Sequence, residues 1–215
     1  NGLTTGINNT ALGAGTGGPL TTGNRNVLIG KQVGDAMTTE DDCVLIGYNA
    51  GIVLTHTDSN GTVAIGSSAL VALTSGIGNV AIGSGSMAVN ATSDFNVAIG
   101  TNTLSKLTKD GEGSNVAVGH RAGEAITLGR YNTIVGEEAL ITEDVGDGTT
   151  ALGYKALFHQ NSDSDNEAAA NTGIGYGTGY RNVTGQNNTW VGYGAGLGAS
   201  GQSNSNNTGV GKDAL

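Results

Sequence analysis

A five-residue phrase recurs twelve times along the 215 residues and limits the possible folds more than any other feature. It reads polar residue, Thr or Val, a variable residue, an aliphatic, then Gly. The phrase ends at Gly13, Gly30, Gly47, Gly66, Gly83, Gly100, Gly119, Gly136, Gly153, Gly175, Gly192 and Gly211, so successive glycines are 17, 17, 19, 17, 17, 19, 17, 17, 22, 17 and 19 residues apart. A short fixed period with occasional loop insertions is the mark of a solenoid, one coil per repeat. The chain therefore reads as all-β, a parallel β-roll or β-solenoid of about twelve coils of 17–22 residues, in a single repeat domain over 1–215. It opens without Met and closes inside the twelfth copy, which suggests a segment of a longer fibre whose end coils are covered elsewhere.

The residue before Gly is always aliphatic and the one three before it always β-branched, as in Val80 and Ile82 or Thr150 and Leu152. Spacing of two with β-branched preference is a strand. The large columns are expected to line the inside of the coil and the intervening one to face outward. That intervening column is mostly small, from Ala11, Ala64, Ala81 and Ala98 to Gly173 and Gly209, with Trp190 as the exception. An outward strip of Ala and Gly suits close approach of another chain under cyclic symmetry. Trp190 there would form a sugar-stacking surface, or fill the axis between chains or a gap near the distal end.

Further along each coil, position +7 after Gly carries Leu20, Met37, Leu54, Leu73, Leu107 and Ile126, which predicts a second short strand facing the first across a thin core. Asn opens nine of the twelve phrases, and stacked Asn amides can bond from coil to coil as a ladder. The motif Gly is expected at a corner with no room for Cβ. With 39 Gly and 4% aromatic residues, a thin, extended core fits better than one thick centre.

Composition also excludes functions. Eighteen acids against nine Lys and Arg would repel phosphate backbones, which argues against nucleic acid as a partner. No apolar run approaches the roughly 20 residues of a membrane helix, and no signal peptide or lipidation motif is visible. Cys43 stands alone and forms no intrachain disulfide. Gly13 to Gly18 matches G-x-G-x-x-G without the βαβ context that gives the motif meaning. His56, His120 and His159 fall in different columns and do not converge on a metal. Glu137 with Glu138, and Asp163 with Asp165, sit on exposed turns rather than in a cleft that would tune them. The chain is read as a non-enzyme that needs no cofactor or metal.

The longer intervals follow Gly47, Gly100, Gly153 and Gly192 and collect polar residues, most of all Phe158 to Ala170. Insertions in a solenoid map to a limited set of edges, often the binding edge. Within that insertion His159, Asn161, Asp163, Asp165 and Glu167 are the candidate receptor-contact residues.

NVAIG at Asn79 to Gly83 and Asn96 to Gly100, with TVAIG at Thr62 to Gly66, resembles the repeat of the YadA-like heads of trimeric autotransporter adhesins. CVLIGYNAG at Cys43 to Gly51 and TTALGYKAL at Thr149 to Leu157 are similar to repeats in bacteriophage tail fibres, and the longer coils lean toward that version. The resemblance implies a left-handed roll assembled as a homotrimer: a structural, adhesive fibre section on a virion, mediating host attachment. Its implied partners are other fibre or virion proteins and a host surface receptor, either a glycan or a surface protein. A bacterial surface adhesin head is the alternative. An ice-binding solenoid, prompted by Thr22, Thr39, Thr74, Thr108 and Thr127, and a tailspike depolymerase are further removed.

Overall fold

The computed structural model describes residues 5–198 and 204–215. Twelve three-residue strands, from Thr10–Leu12 through Val80–Ile82 and Thr133–Val135 to Thr208–Val210, form one parallel sheet in sequence order. Each strand pairs with the next in perfect column register, for example Val80↔Val97, Ala81↔Ala98 and Ile82↔Ile99. The 22-residue interval does not disturb it: Thr150 pairs with Thr172 and Leu152 with Ile174. The chain is a β-solenoid, and its coils are numbered 1 to 12 here by their motif glycines.

The motif glycine is where the chain leaves the strand. At Gly83 φ is +136°, and a Cβ would fall 2.3 Å from the carbonyl oxygen of Gly100 in the next coil. Both the backbone conformation and the stacking of coils therefore demand glycine. On the other side of the strand stands the Asn ladder. Asn79 Oδ1 accepts from the backbone N–H of Asn96 at 3.0 Å and from its Nδ2 at 3.2 Å, and Asn96 Oδ1 serves Asn115 in the same way. Cys43, Thr62 and Thr149 interrupt the ladder, and the Thr149 hydroxyl is buried without a partner.

The second strand expected in each coil is absent among the described residues. Among the described residues, β-structure outside the main sheet is limited to Ser93–Asp94 paired with Gly111–Glu112 and a bridge between Asp147 and Ala168. The return wall is instead a run of turns, because alternate residues have positive φ, such as Ser68 at +58° and Leu70 at +48°. Such residues cannot continue a strand. The turns still bond from coil to coil, as in Leu70 N to Ser86 O at 3.0 Å and Leu140 N to Ala156 O at 2.9 Å.

The orientation of the strand is the reverse of that expected. From coil 2 on, the intervening column, Leu28, Leu45, Ala64, Ala81, Ala98 and Ile134 among them, is buried, while the Val, Ile and Thr columns flanking it face outward; Ala11 in the first coil is exposed. The reason is volume. The space between strand wall and turn wall already receives the residues three, four and seven after Gly, for instance Ala69, Leu70 and Leu73, all buried. A packed interior has no void for two more large side chains per coil. The inward positions compensate one another from coil to coil: Leu28, Leu45 and Ile134 fill space left by Gly17, Gly34 and Gly123 of the coil before, whereas Ala81, Ala98 and Ala117 follow Leu70, Met87 and Leu104. A Cβ on Gly51 would lie 3.0 Å from Leu45 Cδ1.

Trp190 follows the same rule. It is 4% exposed, and a Cβ on Gly179 or Gly196 would come within 2.6 Å or 2.4 Å of its ring. It is a core residue occupying space that glycines leave, not an outward sugar platform or an axial plug.

Candidate functional site

The insertion after Gly153 is a built loop rather than a slack one. Ser162 anchors it: its backbone N–H and Oγ donate to Glu143 Oε1 and Oε2, each at 3.1 Å. Glu143 is fully buried, and its Oε1 also accepts from Gly146 N at 2.8 Å. Glu167 closes the loop, accepting from Asp163 N at 3.0 Å and Ser164 N at 3.2 Å, with Gln186 Nε2 a third donor from the following coil. Asp165 reaches Lys109 of the preceding insertion at 3.7 Å, so the two loops meet across the coils between them. Arg130 ties the same edge together, pairing with Asp147 at 2.7 Å and donating to Asn166 Oδ1 at 2.6 Å. The hydrogen bond it donates to Asp147, above all, holds that guanidinium protonated even more firmly than usual.

Of the five expected contact residues, His159, Asn161, Asp163 and Asp165 are exposed. Glu167 is only half-buried, and its two oxygens are taken by the loop and by Gln186 of the following coil. His159 turns away from the acids: its ring stands edge-on to Phe158 and Tyr180 at 4.8 Å and 5.0 Å. The loop thus separates into an acidic tip and an aromatic base. The three histidines lie in separate coils, and no group of three His, Cys, Asp or Glu among the described residues is placed to hold a metal ion.

The aromatic base was not anticipated. Phe158 stacks on Tyr180 at 5.0 Å and 17°, while Tyr154, Tyr176 and Tyr193 form a ladder at 5.0 Å and 5.2 Å. Lys155 stands 5.2 Å from the Tyr154 and Phe158 ring centres, and Lys212 lies 5.9 Å from that of Tyr193. The signal was available, since six of the nine Phe, Tyr and Trp residues fall between Tyr154 and Tyr193. Before them, on the same turn wall, lies a groove of about 380 Å³ running from Lys106 to Phe158.

A second surface is far larger. The outward face of the twelve-stranded sheet presents two aliphatic or β-branched columns, with Ile99 37%, Val116 40% and Leu152 42% exposed in mid-rod. The Thr residues of the turn wall carry no comparable array, because Thr74 and Thr127 donate their hydroxyls to carbonyls of the next coil. No protein-family model, curated protein or solved structure matches the chain.

Proposed function

We propose that the chain is a section of a homotrimeric adhesive fibre, a phage tail fibre or related virion fibre that attaches to a host surface. The observation that carries this reading is the bare sheet face. All-parallel sheets are found covered on both faces. Here the turn wall covers one, and the other exposes Val, Ile, Leu and Thr over twelve strands, about 50 Å at roughly 4.8 Å per strand. Apolar patches beyond a few hundred Å² mark interaction sites. A partner with the same rise per coil fits such a face along its full length, and a second copy of this chain has that rise by construction. The number three and the left-handed sense come from the resemblance. A rod built this way transmits position rather than chemistry, which suits a fibre and not an enzyme.

Light scattering tests assembly directly. The chain should weigh about three times its 21.3 kDa at all working concentrations. Replacing Val80 and Val97 together by Asp places charges at the centre of the face and should release monomers with an unchanged circular dichroism spectrum. A wild-type chain that stays monomeric overturns the reading.

A further inference from the structure

The groove on the turn wall combines features that the fibre scaffold does not require. Lys106 stands at one end, in coil 6, and the Phe158 ring at the other, in coil 9, with Arg121, Glu124, Ala125, Ile141 and Thr142 between them. Three coil steps make this about 14 Å at roughly 4.8 Å each, long enough for more than one sugar ring.

The chain has nine Lys and Arg against eighteen acids, so its cations are in demand. Arg25 pairs with Asp42, Lys109 with Asp165, Arg121 with Glu124 and Glu138, Arg130 with Asp147, Lys155 with Glu138 and Lys212 with Asp213. Lys31 lies over Tyr48, and Arg181 donates to the carbonyl of Gly198. Among the described residues Lys106 has no ion pair, hydrogen bond or ring contact. An unpaired ammonium at the lip of a groove on an acidic protein attracts a carboxylate.

The rest of the groove selects what bears that carboxylate. Tyr180 stacks on Phe158 and the Lys155 ammonium stands 5.2 Å from its ring centre, which fixes the ring as a wall beside the groove. Thr142 uses its hydroxyl on the carbonyls of Phe158 and Gln160, so it is not free to donate to a guest. The backbone is committed as well, with Ala125 N bonded to Ile141 O at 3.2 Å, so an extended peptide finds no strand edge to pair with. Arg121 and Glu124 pair with each other at 2.5 Å, so ring contact and the uncompensated charge of Lys106 remain.

We propose that this groove binds a short acidic oligosaccharide, with a sugar ring against Phe158 and a carboxylate at Lys106. This rests on the host-attachment reading and names the receptor chemistry that the turn wall would take.

The test is retention of the full chain on an array of carboxylated oligosaccharides, each beside its carboxyl-reduced counterpart, with immobilised polyglutamate as a peptide comparison. The wild-type chain should hold at least one carboxylated glycan and release its reduced counterpart. Lys106→Glu, on an exposed side chain, should weaken that retention at least tenfold, and Ala125→Trp, which fills the groove, should do the same. The proposal is overturned if no carboxylated glycan is held, if reduction makes no difference, if both variants bind as the wild type does, or if polyglutamate is held instead. Light scattering on the same samples separates the two readings. A trimer that ignores glycans removes the groove alone; a monomer that binds them keeps the groove and removes the fibre.

Discussion

Coils 1 to 4 and coils 8 to 10 share one backbone plan and differ in what fills the seventh position after the motif glycine. In the first group that inward column is Leu20, Met37, Leu54 and Leu73; in the second it is Glu143, Gln160 and Asn182, every one buried. The apolar coils need nothing further, since each side chain meets its neighbour above and below. The polar coils survive because nearby turns supply partners. Glu143 receives Gly146 and Ser162, and Gln160 Oε1 accepts from Asn171 Nδ2 at 2.8 Å and from Asn182 Nδ2 at 2.5 Å. Satisfaction is incomplete, for Gln160 Nε2 is buried with no partner. A solenoid thus tolerates polar residues in its core where neighbouring turns and side chains supply partners, as Ser93 does for the buried Asn90 in coil 5.

The largest effect is expected from making the polar end imitate the apolar one. Glu143→Leu leaves the buried N–H groups of Gly146 and Ser162 without acceptors, at about 1–3 kcal/mol for each unsatisfied group. A loss of about 3 kcal/mol or more in urea unfolding should follow, with earlier proteolysis inside 158–170. Equal stability would mean that the loop does not depend on this anchor.

A smaller effect sharpens the comparison from the apolar end. Burial pushes the Cys43 thiol from an ordinary 9.0 up to about 11. The folded chain then holds its proton where the unfolded chain has lost it, so the contribution is complete below pH 9 and falls away as pH rises toward 11. Stability measured across that window should decline more steeply for the wild type than for Cys43→Ala. Alkylation of the native thiol at pH 8 should be limited by opening of the coil.

The smallest expected effect lies at the gap in the ladder. Thr149→Asn removes an unpaired hydroxyl and gives the Asn column a member between Asn132 and Asn171. A gain of about 0.5–1 kcal/mol is expected, in the range of one net hydrogen bond. A loss would show that the wide coil cannot seat the amide.

Much of the fold was legible. Twelve glycines at near-equal spacing located every strand, and the Asn column foretold the ladder, because a stacked repeat must place like residues on like. The direction of the strand was also written in the chain, though in a correlation between columns rather than in either alone. Where the strand centre is Leu28, Leu45 or Ile134, the residue four after the preceding motif glycine is Gly17, Gly34 or Gly123; where it is Ala81, Ala98 or Ala117, that residue is Leu70, Met87 or Leu104. Two positions that trade volume share one space. The candidate loop was legible in its length and polarity. Its division of labour was not, since nothing local marks Glu167 as a closing residue or His159 as part of an aromatic cluster.

Sequence alone determined the period, the parallel register and the corners, because these depend on identical residues recurring at identical places. Tertiary structure alone decided that the return wall is turns, and that Lys106 and Phe158 border one groove. Those outcomes rest on how much volume two walls enclose and on which residues meet across several coils, quantities that alternation along a strand leaves open.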